Sequence, residues 1–195
     1  MSRRRRLELD ERRAQLLALG LSAFSKNSYD DVSIDALAQS AGVSKGLLYH
    51  YFPSKRELYV ATVREAAEQL LARIAPDPAL APLDQLTYGV DAYLSYVQEN
   101  ADAYLSLMQG GVGRDREVYA LVERTRHQFV ELLVARSGEA QLSSLTRTLV
   151  RGWVGMVEAA SLDWLEHASA PRSELTSLLV RVLLTTLQLR PTSAS

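Results

Sequence analysis

The sequence predicts an all-α protein: an N-terminal three-helix helix-turn-helix domain followed by a larger C-terminal helical domain. Three observations predict it. Apolar residues recur at three- and four-residue spacing along most of the chain. Strand signals are scarce, with no Asn-Gly or Asp-Gly hairpin turn and no sustained alternation of β-branched residues. In the N-terminal third, Ser33, Ser44 and Ser54 each stand before an apolar-periodic segment, where a serine hydroxyl can accept from an unpaired amide of the first helical turn.

The elements follow in order. A first helix is expected over residues 8–25, with Leu17, Leu21 and Phe24 on one face and Arg12 and Arg13 exposed. Asn27-Ser28 ends it, because asparagine takes the left-handed conformation at low cost. Ser33 opens a segment over 34–40, Ser44 one over 45–52, and Ser54 a longer helix to about Arg73. Ser54 and Glu57 form a capping box, and Pro53 separates the two helices beside it. Ala75–Pro82 holds three of the six prolines and reads as a linker. Helices are then expected over about 84–98, 101–109, 115–136, 142–167 and 173–189, with a break at Gly110–Gly113. Pro171 suits the entry to the last helix, and Pro191–Ser195 reads as a frayed tail.

Composition narrows the function classes. With 195 residues, 47% of them hydrophobic, the chain can bury a sizeable core, which excludes collagen-like, low-complexity and wholly disordered readings. The absence of cysteine excludes a disulfide scaffold, a thiolate metal site and a cysteine nucleophile. His50, His127 and His167 are too far apart for a local metal spacing, and Gly110–Gly113 lacks the Lys-Ser/Thr of a phosphate loop. Asp91, Glu158 and Asp163 are expected on solvated faces or paired with arginines such as Arg151. No enzyme, cofactor or metal site is therefore expected. No apolar run reaches membrane-spanning length, and the start at Met1–Arg6 lacks a secretory apolar region, so a cytoplasmic protein without membrane attachment is expected.

The charge is uneven. Residues 1–56 carry ten Lys/Arg against six Asp/Glu, whereas 57–195 carry twelve against seventeen. A basic N-terminal third suggests a polyanion-facing end, although four of its charges sit in the run Arg3–Arg6, read as a solvated arm.

Residues 34–52 have the spacing of a helix-turn-helix. Two short helices crossing steeply need a small residue where they touch, which Ala38 supplies; the turn needs a left-handed backbone position, which Gly42 supplies. Leu37, Ala41, Val43 and Leu48 then close a core against the first helix, leaving the second short helix to face outward, as insertion into a DNA major groove requires. Ser33 and Ser44 stand at helix starts suited to phosphate oxygens. Gly46 costs about 1 kcal/mol of helix stability, which points to a close backbone approach by a partner. Lys45 can reach a guanine edge or a phosphate, Tyr49 and Tyr51 can donate hydroxyls, His50 can do either, and Lys55 is placed for a phosphate. Leu47 completes the outward set.

Phe24, Ala38, Ala41–Gly46, Leu48-Tyr49, Tyr51–Lys55 and Leu58 together resemble the DNA-binding domain of the tetracycline-repressor (TetR) family, over about residues 10–60. The resemblance implies a two-domain helical protein that dimerises through its last two long helices and leaves DNA when a small molecule enters the C-terminal domain. It also implies that Ser33, Ser44, Tyr49 and Lys55 hold phosphates while Lys45, Gly46 and His50 lie near bases. Two positions depart from the pattern: Ser28 stands where many members have glycine, and Val32 where many have threonine.

The expected domains are 1–56, binding DNA, and 57–195, binding a ligand and dimerising. In the latter, Leu145, Leu149, Trp153, Met156 and Ala160 make one apolar stripe, and Leu175, Leu179, Val182 and Thr186 another. Gly152 and Gly155 would permit close helix approach. Leu178, Val180, Leu183 and Leu184 widen the apolar surface of the last helix, so that one face can serve the core and another a partner subunit. Tyr88, Tyr93, Tyr104, Met108, Phe129, Trp153 and Met156 are the candidates for lining a ligand cavity. The whole reads as a dimeric regulator, a repressor released from a near-palindromic double-stranded DNA operator by a small hydrophobic effector. Control by a protein partner, with no small-molecule ligand, stays open.

Overall fold

The computed structural model describes residues 3–27, 29–111, 115–136 and 143–188. Among these it contains nine α-helices, one π-helical turn and no strand: α1 (Arg3–Lys26), α2 (Ile34–Ser40), α3 (Lys45–Tyr51), α4 (Lys55–Arg73), α5 (Pro82–Glu99), α6 (Ala101–Ser106), the π-turn (Leu107–Gly111), α7 (Arg116–Arg136), α8 (Ser144–His167) and α9 (Arg172–Gln188). The all-α expectation holds. The first helix starts at Arg3 rather than residue 8. The backbone of the arginine run is thus helical and not an arm, in keeping with arginine's high helix propensity. The expected roles of Ser28, Val112-Gly113, the first residues of a helix from 142, and the tail 191–195 lie outside the described residues.

The chain forms two compact units, Met1–Glu68 with Asn100–Leu121, and Gln69–Glu99 with Val122–Ser195. In the first unit, Leu16, Leu17 and Phe24 of α1 pack with Ile34, Leu37 and Ala38 of α2, Leu48 of α3 and Leu58 of α4. Full burial of each of the leucine, isoleucine and phenylalanine side chains stabilises by about 1.5–3 kcal/mol. Gly20 makes the contact between α1 and α4 possible: a Cβ there would lie 2.9 Å from Cγ2 of Thr62 and 3.2 Å from Cδ1 of Leu58. Phe24, Tyr29 and Tyr59 form an aromatic triad, with Tyr59 edge-on to Phe24 at 5.0 Å and to Tyr29 at 5.2 Å. Burial, reinforced by nearby Asp115, pushes the Tyr59 phenol above its ordinary range. A smaller core joins Val60 and Val63 to Val118 and Leu121. Above it Arg56 holds Asp115 through two nitrogens, and Asp115 caps α7 by accepting from the amides of Glu117 (2.8 Å) and Val118 (3.3 Å).

In the second unit α5 packs on α8 and α9, and α8 on α9. The buried face of α8 is Thr146, Val150, Trp153, Val154, Val157, Ser161 and Trp164. The stripe read from sequence lies beside it: Trp153 is in the core, but Leu145 is 51% exposed and Met156 36%. Both faces of α8 are apolar, so periodicity alone does not say which one is buried. On α9 the core takes Thr176, Leu179, Val180 and Leu183, leaving Leu178 exposed. Both indoles are satisfied, Trp153 Nε1 donating to the Leu179 carbonyl at 3.0 Å and Trp164 Nε1 to that of Ala170 at 2.8 Å. The carboxylates are paired with arginines or solvated, as expected. Asp91 accepts from Arg172, and Glu158 pairs with Arg126 rather than Arg151. Asp163 stays exposed beside His167. No described helix is long and apolar enough to cross a membrane.

Candidate functional site

The helix-turn-helix is built by short-range hydrogen bonds that its sequence dictates. Ser33 Oγ accepts from Ala36 N at 3.3 Å and Ser44 Oγ from Leu47 N at 3.1 Å, starting α2 and α3. Between the helices, Ala41 N donates to Leu37 O, Gly42 N to Gln39 O and Val43 N to Ala38 O. Gly42 has φ +63°, the left-handed value the turn requires, and no atom lies within 4 Å of where its Cβ would be. The glycine is therefore there for its backbone and not for space. Ala38 is buried where α2 meets α3.

That frame turns Lys45, Gly46, Leu47, Tyr49 and His50 outward, all of them exposed. Leu47 is 39% exposed although it is a large apolar residue on a seven-residue helix. Tyr51 is half-buried and packs against the core beneath. Ser33 and Ser44 accept cap bonds through lone pairs, and each hydroxyl keeps its own proton to donate. Lys45 is not solitary: its Nζ lies 2.9 Å from Oδ2 of Asp35 on α2, a pairing that raises the lysine's pKa. Lys55 donates to the Asp30 carbonyl at 3.0 Å and sits 4.9 Å above the Tyr29 ring, so its charge is tethered at the start of α4. Position 46 is open. A Cβ there would meet nothing nearer than Ser44 Oγ at 3.9 Å.

The second unit contains a half-open cavity of about 80 Å³. Tyr93, Phe129 and Trp153, three of the seven aromatic and methionine candidates, line it together with Leu86, Val90, Leu132, Leu133, Val154 and Val157. Tyr88 and Met156 are exposed and not in its wall, and Tyr104 and Met108 belong to the first unit. Two polar wall residues escaped the sequence reading, Gln85 and Glu158. Glu158 had left a signal: it stands one turn after the buried Val154, a charge at core spacing on an apolar helix. Its carboxylate accepts from Arg126 Nε at 2.9 and 3.0 Å. Arg126 also holds Glu123, and Arg151 holds Glu123 at 3.2 Å. Glu158 and then Glu123 raise the pKa of the Arg126 guanidinium, and Arg126 with Arg151 lowers that of Glu123. No group of three or more His, Asp or Glu side chains that could hold a metal occurs among the described residues.

Two family models match the chain. Residues 16–62 match the model for bacterial regulatory proteins of the tetR family, and residues 82–186 match the tetracyclin repressor-like C-terminal domain. The HTH-type transcriptional activator FasR of Mycolicibacterium smegmatis is 31% identical over 120 residues, 60% of this chain and 55% of that protein. The HTH-type transcriptional repressor KstR of Rhodococcus jostii is 37% identical over 76 residues, 39% of this chain and 36% of that one. The matches thus span about half or less of these curated relatives. Among solved structures, a tetR-family transcriptional regulator from Streptomyces coelicolor superposes with a TM-score of 0.85 at 31% identity, covering 92% of this chain and 82% of that one. FadR from Bacillus subtilis, in complex with stearoyl-CoA, shares the fold at a TM-score of 0.68 and 16% identity, covering 89% of this chain and 98% of that one.

Proposed function

The chain belongs to the tetracycline-repressor family of transcriptional regulators, and from that premise we propose that it is a homodimeric, effector-controlled repressor of a near-palindromic operator. Residues 1–56 supply the DNA-binding part and 57–195 the dimer contacts and effector site. The single observation that carries the DNA reading is Gly46. Glycine in a helix costs about 1 kcal/mol, yet nothing inside the fold demands it, since a Cβ would meet only an ordinary contact at 3.9 Å. The demand comes from outside, from a duplex whose backbone or base edges approach α3. Lys45, Tyr49 and His50 flank that position as donors, with the Ser33 and Ser44 hydroxyls beside phosphates. Lys55 contributes charge without leaving its tether on Asp30.

The exposed apolar face of α8 and α9 supports dimerisation. Leu145, Gly152 and Met156 share one side of α8, and Leu178 stands exposed on α9. A two-fold dimer that reads a near-palindromic duplex with one α3 per subunit needs half-sites about 34–36 Å apart or somewhat more. An effector in the apolar cavity of the second unit would favour a conformation with the wrong spacing, worth about 1–3 kcal/mol of coupling. That FadR, a regulator of the same fold, occurs in complex with stearoyl-CoA supports a small-molecule effector.

The test is a fluorescence-anisotropy titration of the duplex adjoining the protein's own gene, with sedimentation to fix stoichiometry. Two subunits per half-site pair and salt-sensitive binding abolished by combined Lys45→Ala and Tyr49→Phe are expected. Binding unchanged by the double substitution would refute the assignment of α3.

A further inference from the structure

We infer that the cavity of the second unit takes an uncharged, largely apolar molecule carrying a hydroxyl, which donates its one proton to the Glu158 carboxylate. The inference rests on reading that cavity as the effector site, and it adds the ligand's chemical class. Most of the wall is aliphatic or aromatic, which sets an apolar body. Its polar groups set the rest. Gln85 spends its Nε2 donors on the exposed loop carbonyls of Leu80 at 2.8 Å and Pro78 at 3.4 Å, so the group it still offers is its oxygen. Trp153 has turned its N–H to Leu179. Glu158 is only 14% exposed and accepts from Arg126 along one edge, which leaves further lone pairs of an acceptor-only group. The Tyr93 phenol both donates and accepts, so it does not decide the sign.

Charge balance decides between a neutral and a charged partner. Arg126 and Arg151 are set against Glu123 and Glu158, so the four ionic groups sum to zero. An anionic ligand would meet Glu158 with both arginines already engaged. A cationic one would add an unbalanced charge to a closed network. An alcohol or phenol brings the donor that the acceptors lack and no charge. The cavity of about 80 Å³ is smaller than the roughly 150 Å³ that accommodates benzene. The hydroxyl-bearing end of a short chain or single ring is therefore the part that fits inside, and any longer body leaves by the open side.

The test uses the full-length protein and four probes of matched size, 1-hexanol, hexanoate, hexylammonium and methyl pentyl ether, with hexanoyl-CoA as a fifth. Calorimetry measures binding, and anisotropy measures release of operator DNA. The expected result is 1-hexanol binding at least tenfold more tightly than hexanoate, hexylammonium and the ether, with DNA released in the same concentration range. Glu158→Gln should narrow the preference for the alcohol over hexanoate at least threefold; the ether comparison on the unaltered protein stands even where that variant fails to fold. Equal binding of ether and alcohol, or tighter binding of hexanoate or hexylammonium, overturns the inference. Release of DNA by hexanoyl-CoA but not hexanol overturns it too, while leaving an effector-controlled repressor intact. If none of the five binds or releases DNA, both readings fail.

Discussion

Replacing Gly46 with alanine should move fold stability and DNA affinity in opposite directions. Gly46 is the second residue of α3 and has ordinary negative φ, since Gly42 is the only described glycine at positive φ. The added methyl would find nothing nearer than Ser44 Oγ at 3.9 Å, an ordinary contact. The folded protein therefore gains the conformational term alone, about 0.5–1 kcal/mol, which corresponds to a rise in Tm of about 1–4 °C for a chain of this size. On DNA the same methyl enters a closely packed surface, where an inserted methylene typically costs about 1–3 kcal/mol. That is a five- to over a hundredfold loss of affinity. Differential scanning fluorimetry and anisotropy on one preparation measure both. Unchanged operator affinity, or a fall in Tm, would refute the reasoning, because glycine would then be serving the fold rather than the partner.

Three further perturbations follow from particular contacts. Asp35→Asn frees Lys45 from its 2.9 Å partner and should steepen the salt dependence of DNA binding by about 0.9, an extra loss of about 3.5-fold between 50 and 200 mM salt; an unchanged slope would show that Lys45 makes no phosphate contact. Gly20→Ala forces a Cβ to 2.9 Å from buried Thr62 and should cost about 1–3 kcal/mol by urea denaturation, whereas a neutral effect would mean that α1 and α4 adjust freely. Glu99, whose carboxyl is lowered from the usual 4.5 to about 2 by Arg73 and then Ser95, stabilises the fold fully above its unfolded pKa and loses that contribution as pH falls toward 2. Melting curves from pH 5 to 2 should therefore decline less steeply in Glu99→Gln, and parallel declines would remove the pair from the acid response.

What the sequence disclosed depended on range. The helix-turn-helix was legible because its logic is local. Ser33 and Ser44 each cap an amide three residues on, and Gly42 closes a turn between neighbours. Contacts across the chain were not legible. Gly20 has its reason at Thr62, and Arg126 its partner at Glu158, neither of which a periodic pattern can pair. On α8 both faces are apolar, so the spacing could not say that Thr146 is buried and Leu145 exposed. For the cavity, aromatic content pointed to Tyr93, Phe129 and Trp153 but also to Tyr88, which donates to the Arg73 carbonyl at 3.4 Å at the surface. Residue type alone does not separate a wall from a surface.

The two tryptophans of the chain, Trp153 and Trp164, both lie on α8, and the first unit has none. Indole emission is thus a label that the second unit carries by nature and the other lacks. Trp153 forms part of the cavity wall, so a bound molecule should shift or quench light from the unmodified protein.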